Sequence, residues 1–131
     1  MDQRLGSVIT FGAGHRYYLY RGFVDMRKSF DSLAGLVTNE LGRQATSGEV
    51  YIFINRRRDQ VKLLVWDRSG FVIYYKRLEK GTFEMPRTEE GEKEKAKSLA
   101  WAELLLILEG ISLSSARWRK RYFRMENVEK K

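Results

Sequence analysis

The chain has 131 residues, 43% of them hydrophobic and 13% aromatic, which suits one domain with a modest core and argues against wholesale disorder. With 25 lysines and arginines against 17 acids, its formal net charge of +8 favours anionic partners. Cysteine is absent, so disulfide scaffolds, cysteine-ligated zinc and thiol catalysis are excluded.

Residues 1–15 hold three glycines and little periodicity and read as a flexible arm. YYLYRGF, Tyr17 to Phe23, is aromatic-rich and reads as a short strand. An amphipathic helix follows: Phe30, Leu33, Ala34, Val37 and Leu41 fall on one helical face. Asp25 is the expected N-cap and Gly42 the expected stop. That start places Arg27 and Lys28 in the first turn, where the helix dipole is already positive. A local pair from Arg27 to Asp31 is worth only about 0.2–0.5 kcal/mol, against dipole penalties of roughly 0.3–1 kcal/mol. Arg27 and Lys28 are therefore candidate anion contacts.

Three runs, EVYIFIN, QVKLLVWD and FVIYYKRLE, are rich in β-branched and aromatic residues and are separated by RRRD and RSG. Connectors this short predict a three-stranded antiparallel meander. Each run is apolar on both alternations, so one sheet face meets the helix and the other is partly covered too. The expected class is α+β, with the N-terminal strand and helix packed on the meander and one or two C-terminal helices after it. The core spans 16–85, and RTEEGEKEKAK, opened by Pro86, makes 86–97 a charged linker. Residues 98–131 form a C-terminal helical segment with a basic tail, one domain overall. There, Trp101, Leu104, Leu105 and Leu108 share a face, with Ser98 as N-cap and Gly110 as stop. LAWAELLLIL is too short to span a bilayer and no secretory signal is visible, so a cytoplasmic protein without membrane partners is expected.

The charge surplus is concentrated in two blocks. Residues 49–80 carry eight bases and four acids, residues 98–131 seven and four, and 81–97 between them four and five. At the hairpin tip NRRRDQ, Arg56, Arg57 and Arg58 present guanidinium forks that match phosphate geometry, with Lys62 nearby. The plainer alternative is that arginines are tolerated at an exposed turn. The tail RWRKRYFR interleaves Arg117, Arg119, Lys120 and Arg121 with aromatic rings, a pattern suited to phosphates and stacked bases. The spacing of Trp118, Tyr122 and Met125 also fits an amphipathic end-helix with its rings in the core. Catalysis finds little support. His15, the sole histidine, has no evident base or metal partner, and Asp25, Asp59 and Asp67 suit caps and turns better than a two-metal site. No phosphate-cradling glycine loop is present. No catalytic residue, metal site or cofactor is expected.

VDMRKSFDSLAGLV, SGEVYIFINRRRDQVKLLVWDRSGFVIYYKRLEKGTFEMP and LLLILEGISL with its basic end, taken in order, resemble a family over roughly residues 17–125. It is the TnpB or Orf2-like accessory family of IS-sixty-six-type bacterial insertion sequences, which is distinct from the RNA-guided nucleases also called TnpB. The resemblance implies a non-catalytic protein acting beside a separate transposase. Two roles follow as expectations. One is DNA binding through the basic hairpin and tail. The other is a protein–protein adaptor docking on the transposase, with Trp101 and Leu105 at its interface.

Overall fold

Residues 11–87, 91 and 93–110 are described by the computed structural model. The chain runs β1 (Tyr17–Phe23), α1 (Phe30–Asn39), β2 (Val50–Ile54), β3 (Gln60–Asp67), β4 (Gly70–Arg77), β5 (Ala96–Leu99) and α2 (Trp101–Glu109). Strands β2, β3 and β4 form the antiparallel meander that their composition and short connectors predict. β1 joins β2 in parallel, because α1 carries the chain back along the sheet between them. β5 pairs antiparallel with the other edge of β1, completing one sheet in the order β4-β3-β2-β1-β5. The fold is α+β with a mixed sheet.

Both faces of the sheet are covered, which explains why β2 and β3 are apolar on both alternations. Tyr17, Leu19, Ile52, Leu63 and Val65 belong to one buried cluster with Leu104, Ile107 and Leu108 of α2. Tyr20, Tyr51, Phe53 and Leu64 point the other way and pack with Leu33 and Val37 of α1. Full burial of Leu33 or Val37 is worth roughly 1.5–3 kcal/mol each. Lys76 adds a polar tie on the α2 side, its Nζ donating to the Leu108 carbonyl at 3.1 Å. A cation there complements the negative end of the helix dipole.

Four boundaries differ from the expectations. α1 begins at Phe30 with Ser29 in the N-cap position, not Asp25. The Asp25 carboxylate instead accepts the Arg27 N–H at 2.8 Å, and the Asp25 carbonyl accepts the Lys28 N–H at 3.0 Å. That local turn completes itself before the helix starts, so Arg27 and Lys28 precede α1 rather than filling its first turn. At the far end, Glu40 is the C-cap, and Gly42 follows with a left-handed φ of 65° that lets the chain reverse.

Ser98 is a strand residue, and Ala100 holds the N-cap position of α2, its N–H donating to Glu103 Oε1 at 3.0 Å. β5 therefore straddles the boundary expected between linker and helix. Leu105 leaves the buried face of α2 and is 40% exposed, while Ile107 takes its place in the core. Gly110 ends α2 in the left-handed region at φ 86°, as its position predicts. Residues 11–15 are docked rather than loose: the Tyr17 hydroxyl donates to the Gly12 carbonyl at 2.7 Å, and the Phe11 ring meets Tyr74 edge-on.

Candidate nucleic-acid interface

Because β1 and β2 are parallel, the loops leaving their carboxyl ends emerge at the same edge of the sheet. β1 runs into the turn 24–29 and β2 into the hairpin loop 55–59. In open α/β sheets ligands bind outside the carboxyl ends of parallel strands, and β1–β2 is the parallel pair of this mixed sheet. Between the two loops lies a cleft of about 650 Å³, lined by Phe23, Arg27, Arg56, Arg57, Gln60 and Tyr75 among others. Two basic segments that are well apart in sequence thus share one site.

Asn55 builds the hairpin loop. Its Oδ1 accepts the N–H groups of Asp59 and Gln60 at 3.1 and 3.0 Å, and its Nδ2 donates to Asp59 Oδ1 at 2.8 Å. This is the local side-chain-to-backbone bonding for which Asn is favoured in turns. The segment after β4 returns and clamps the loop from outside: the Leu78 N–H donates to the Asp59 carbonyl, and the Phe83 N–H to the Arg58 carbonyl at 2.7 Å. Phe83 itself is fully buried. The loop backbone is therefore fixed, while the side chains of Arg56, Arg57 and Arg58 remain exposed. Arg58 adopts a left-handed φ of 61°, where glycine is the usual residue. Arg56 lies over the Phe23 ring, 5.3 Å from its centroid.

Across the cleft, Arg27 is gripped by Asp25, with Nη2 2.6 Å from Oδ2 and Nε within 3.1 Å of Oδ1. Hydrogen bonds from the Arg27 side chain and then its N–H hold the Asp25 carboxyl down at about 2, well below the usual carboxylate range. Lys62 turns inward, and its Nζ donates to the carbonyls of Met26 at 2.9 Å and Lys28 at 2.7 Å. It thereby fastens the 24–29 turn onto β3, with its ammonium 5.4 Å from the Tyr75 ring centroid. Tyr75 is fixed by its hydroxyl, which donates to Gln60 Oε1 at 2.6 Å.

Of the residues singled out from sequence, Arg27, Arg56 and Arg57 line the cleft, and Arg58 stands on the same hairpin. Lys28 is exposed beside it. Arg117, Arg119, Lys120 and Arg121 lie outside the described residues. Trp101 packs inward on the opposite side of the sheet, stacked on Tyr17 with centroids 5.5 Å apart, whereas Leu105 faces out. Sequence reasoning missed Phe23, Asn55, Gln60 and Tyr75. Asn55 and Gln60 flank the arginines within the NRRRDQ tip, and nothing local to Phe23 or Tyr75 marked them. Among the described residues, no three His, Cys, Asp or Glu side chains gather into a metal-binding group, and no helix is long and apolar enough to cross a membrane.

The model of the family described as IS66 Orf2 like protein matches residues 15–118. The chain belongs to that family. Its members are transposition-associated accessory proteins, and the matched span contains every residue that lines the cleft. It ends inside the basic tail, at Trp118. Two proteins of Sinorhizobium fredii (strain NBRC 101917 / NGR234) are similar. The protein y4hO is 32% identical over 104 residues, covering 79% of this chain and 87% of its own. The protein y4jC is 32% identical over 68 residues, covering 52% and 58%. No solved structure matches.

Proposed function

We propose that this IS66 Orf2-like protein is a non-catalytic accessory factor of transposition that binds DNA through the cleft between the β1–α1 turn and the β2–β3 hairpin. The observation that carries the reading is the convergence of Arg27 with Arg56 and Arg57 on one cleft, from loops the parallel β1–β2 pair brings together. Arginine forks take phosphate oxygens two at a time, and a fixed loop backbone limits the entropy lost on binding. Arg58 and Lys28 widen the positive rim. The basic tail, with Arg117, Arg119, Lys120 and Arg121, is a second contact on sequence grounds. The place of action is the cytoplasm, beside the element-encoded transposase.

A titration of the full chain against element-end and scrambled duplexes at two salt concentrations tests this. Engagement of about four to six phosphates gives a slope of log affinity on log salt of roughly −4 to −5. Replacing Arg56, Arg57 and Arg58 together with alanine lowers affinity for all sequences and flattens the slope by roughly 2 to 3. Unchanged affinity and slope in that variant would sink the hairpin contact.

The exposure of Leu105 on α2 supports a second reading, an adaptor surface for the transposase on the face of the molecule that carries α2. Co-purification with the transposase from nuclease-treated extract is the result that would favour it.

A further inference from the structure

Electrostatics accounts for the arginines of the cleft but leaves its aromatic residues unexplained. Phe23 is 46% exposed and Tyr75 50% exposed, and both line the cleft with the arginines. Each ring already has a cation beside it, Arg56 near Phe23 and Lys62 near Tyr75. β1 and β4 are separated in the sheet by β2 and β3, so strand spacing alone puts these rings roughly 14 Å apart. That distance is too great for one base to be sandwiched between them, yet it leaves each ring free to take a base of its own.

A closed duplex offers such a site phosphates and groove edges but no base faces, since its bases are stacked on one another. An unpaired strand offers both chemistries, because every base has a face that stacks on an aromatic ring and every linkage has a phosphate for an arginine. Among the polar groups lining the cleft, the Asn55 amide bonds within its own loop and Gln60 Oε1 accepts from Tyr75, which argues for little reading of particular bases. We propose that the cleft takes unpaired nucleotides, with bases stacked on Phe23 and Tyr75 and phosphates held by Arg27, Arg56 and Arg57, so that the preferred DNA is single-stranded or opened at an end. This rests on the DNA-binding reading above and narrows its substrate to one form of DNA, with little sequence preference.

Fluorescence anisotropy of the full chain tests it with four probes: a labelled dT oligonucleotide, an abasic oligonucleotide of equal length, a duplex of equal length, and dTMP as competitor. The dT oligonucleotide is expected to bind at least tenfold more tightly than either the duplex or the abasic strand. Phe23→Leu and Tyr75→Leu should each weaken dT binding by about five- to 150-fold, while duplex binding stays within twofold. Tyr75→Phe keeps the ring and should stay close to wild type. Competition by dTMP only at far higher concentration than the oligonucleotide identifies a strand, rather than a free nucleotide, as the ligand; equal potency per nucleotide would overturn the strand assignment. Equal affinity of wild type for dT and abasic strands would overturn the proposal without any variant, so a misfolded mutant cannot shield it. Duplex binding that depends on the arginines, with no preference for dT, would leave the DNA-binding reading standing and remove this one. Absence of binding to every probe would remove both.

Discussion

Arg27 and Asp25 form a two-residue clasp in which one carboxylate receives both the guanidinium and the backbone N–H of the same arginine. Arg27, one of the three arginines lining the cleft, is thus already paired in the free protein, and a bound phosphate has to compete with Asp25 for it. Asp25→Asn keeps an acceptor for the backbone N–H and removes the competing charge. The expected result is a several-fold gain in affinity for DNA, with the salt slope steeper by about 1, read in the same titration. A loss of affinity would mean that the clasp serves to aim Arg27 rather than to restrain it.

The same clasp sets a pH expectation. Asp25 titrates at about 2 in the folded protein, below its ordinary value of 3.8. A depressed carboxyl contributes stability that is present above its unfolded value and is lost as pH falls through the folded one. Wild-type thermal stability should therefore owe nothing to this pair's titration between pH 5 and 8, and the pair's contribution should disappear between about pH 4 and 2. Thermal melts of wild type and Asp25→Asn across that range check it: the difference between them should be flat above pH 5 and shrink below pH 4.

Arg58 occupies a left-handed position in a loop otherwise held by Asn55 and Phe83. Non-glycine residues there cost of order 1 kcal/mol or more. Arg58→Gly is expected to raise the unfolding free energy by up to about 1 kcal/mol in urea melts, less what the added freedom of the unfolded chain removes. It should also weaken DNA binding and flatten the salt slope by about 1 if Arg58 meets a phosphate. Greater stability joined to weaker binding would mark Arg58 as retained for contact rather than for folding.

Lys62 is expected to act on binding through position, not charge. Lys62→Met removes two hydrogen bonds to the carbonyls of Met26 and Lys28 while preserving most of the side-chain volume. Urea denaturation should show a loss of about 1–2 kcal/mol. DNA affinity should fall because the 24–29 turn is released, yet the salt slope should change by less than about 1. A slope reduced by a full phosphate contact with no loss of stability would overturn this assignment.

Leu104 and Leu105 are neighbours with opposite surroundings, one buried and one exposed. Leu104→Ala should cost roughly 2–5 kcal/mol of stability, and Leu105→Asp roughly 1–2 kcal/mol, from its partly buried side chain and the poorer helix propensity of Asp. With folding verified by circular dichroism, loss of transposase co-purification in Leu105→Asp alone would assign α2 to a protein interface. Retention would remove that surface from consideration.

What the sequence revealed and what it hid divide along local and non-local physics. The meander was legible because its strands carry β-branched and aromatic runs and its turns are short, and α1 was legible from the spacing of Leu33 and Val37. β5 was not, since AKSL has no β-branched residue and sits beside a charge-dense stretch; its extended form comes from pairing with Tyr17–Tyr20. The start of α1 was misplaced because Asp25 suits an N-cap as well as it suits the turn it makes with Arg27. The arginines of the site were visible as a run. Phe23 and Tyr75 were not, because only the sheet order brings the ends of β1 and β4 to one cleft.

The placement of β5 also has a bearing on how the chain is made. β1 leaves the ribosome long before Leu99, the partner of Tyr17. Throughout that interval β1 carries a row of open backbone donors and acceptors along one edge, next to buried-type side chains. A nascent or truncated chain ending before Ala96 would present this edge to other chains. Completion of the short AKSL segment is what turns a strand prone to intermolecular pairing into an interior one.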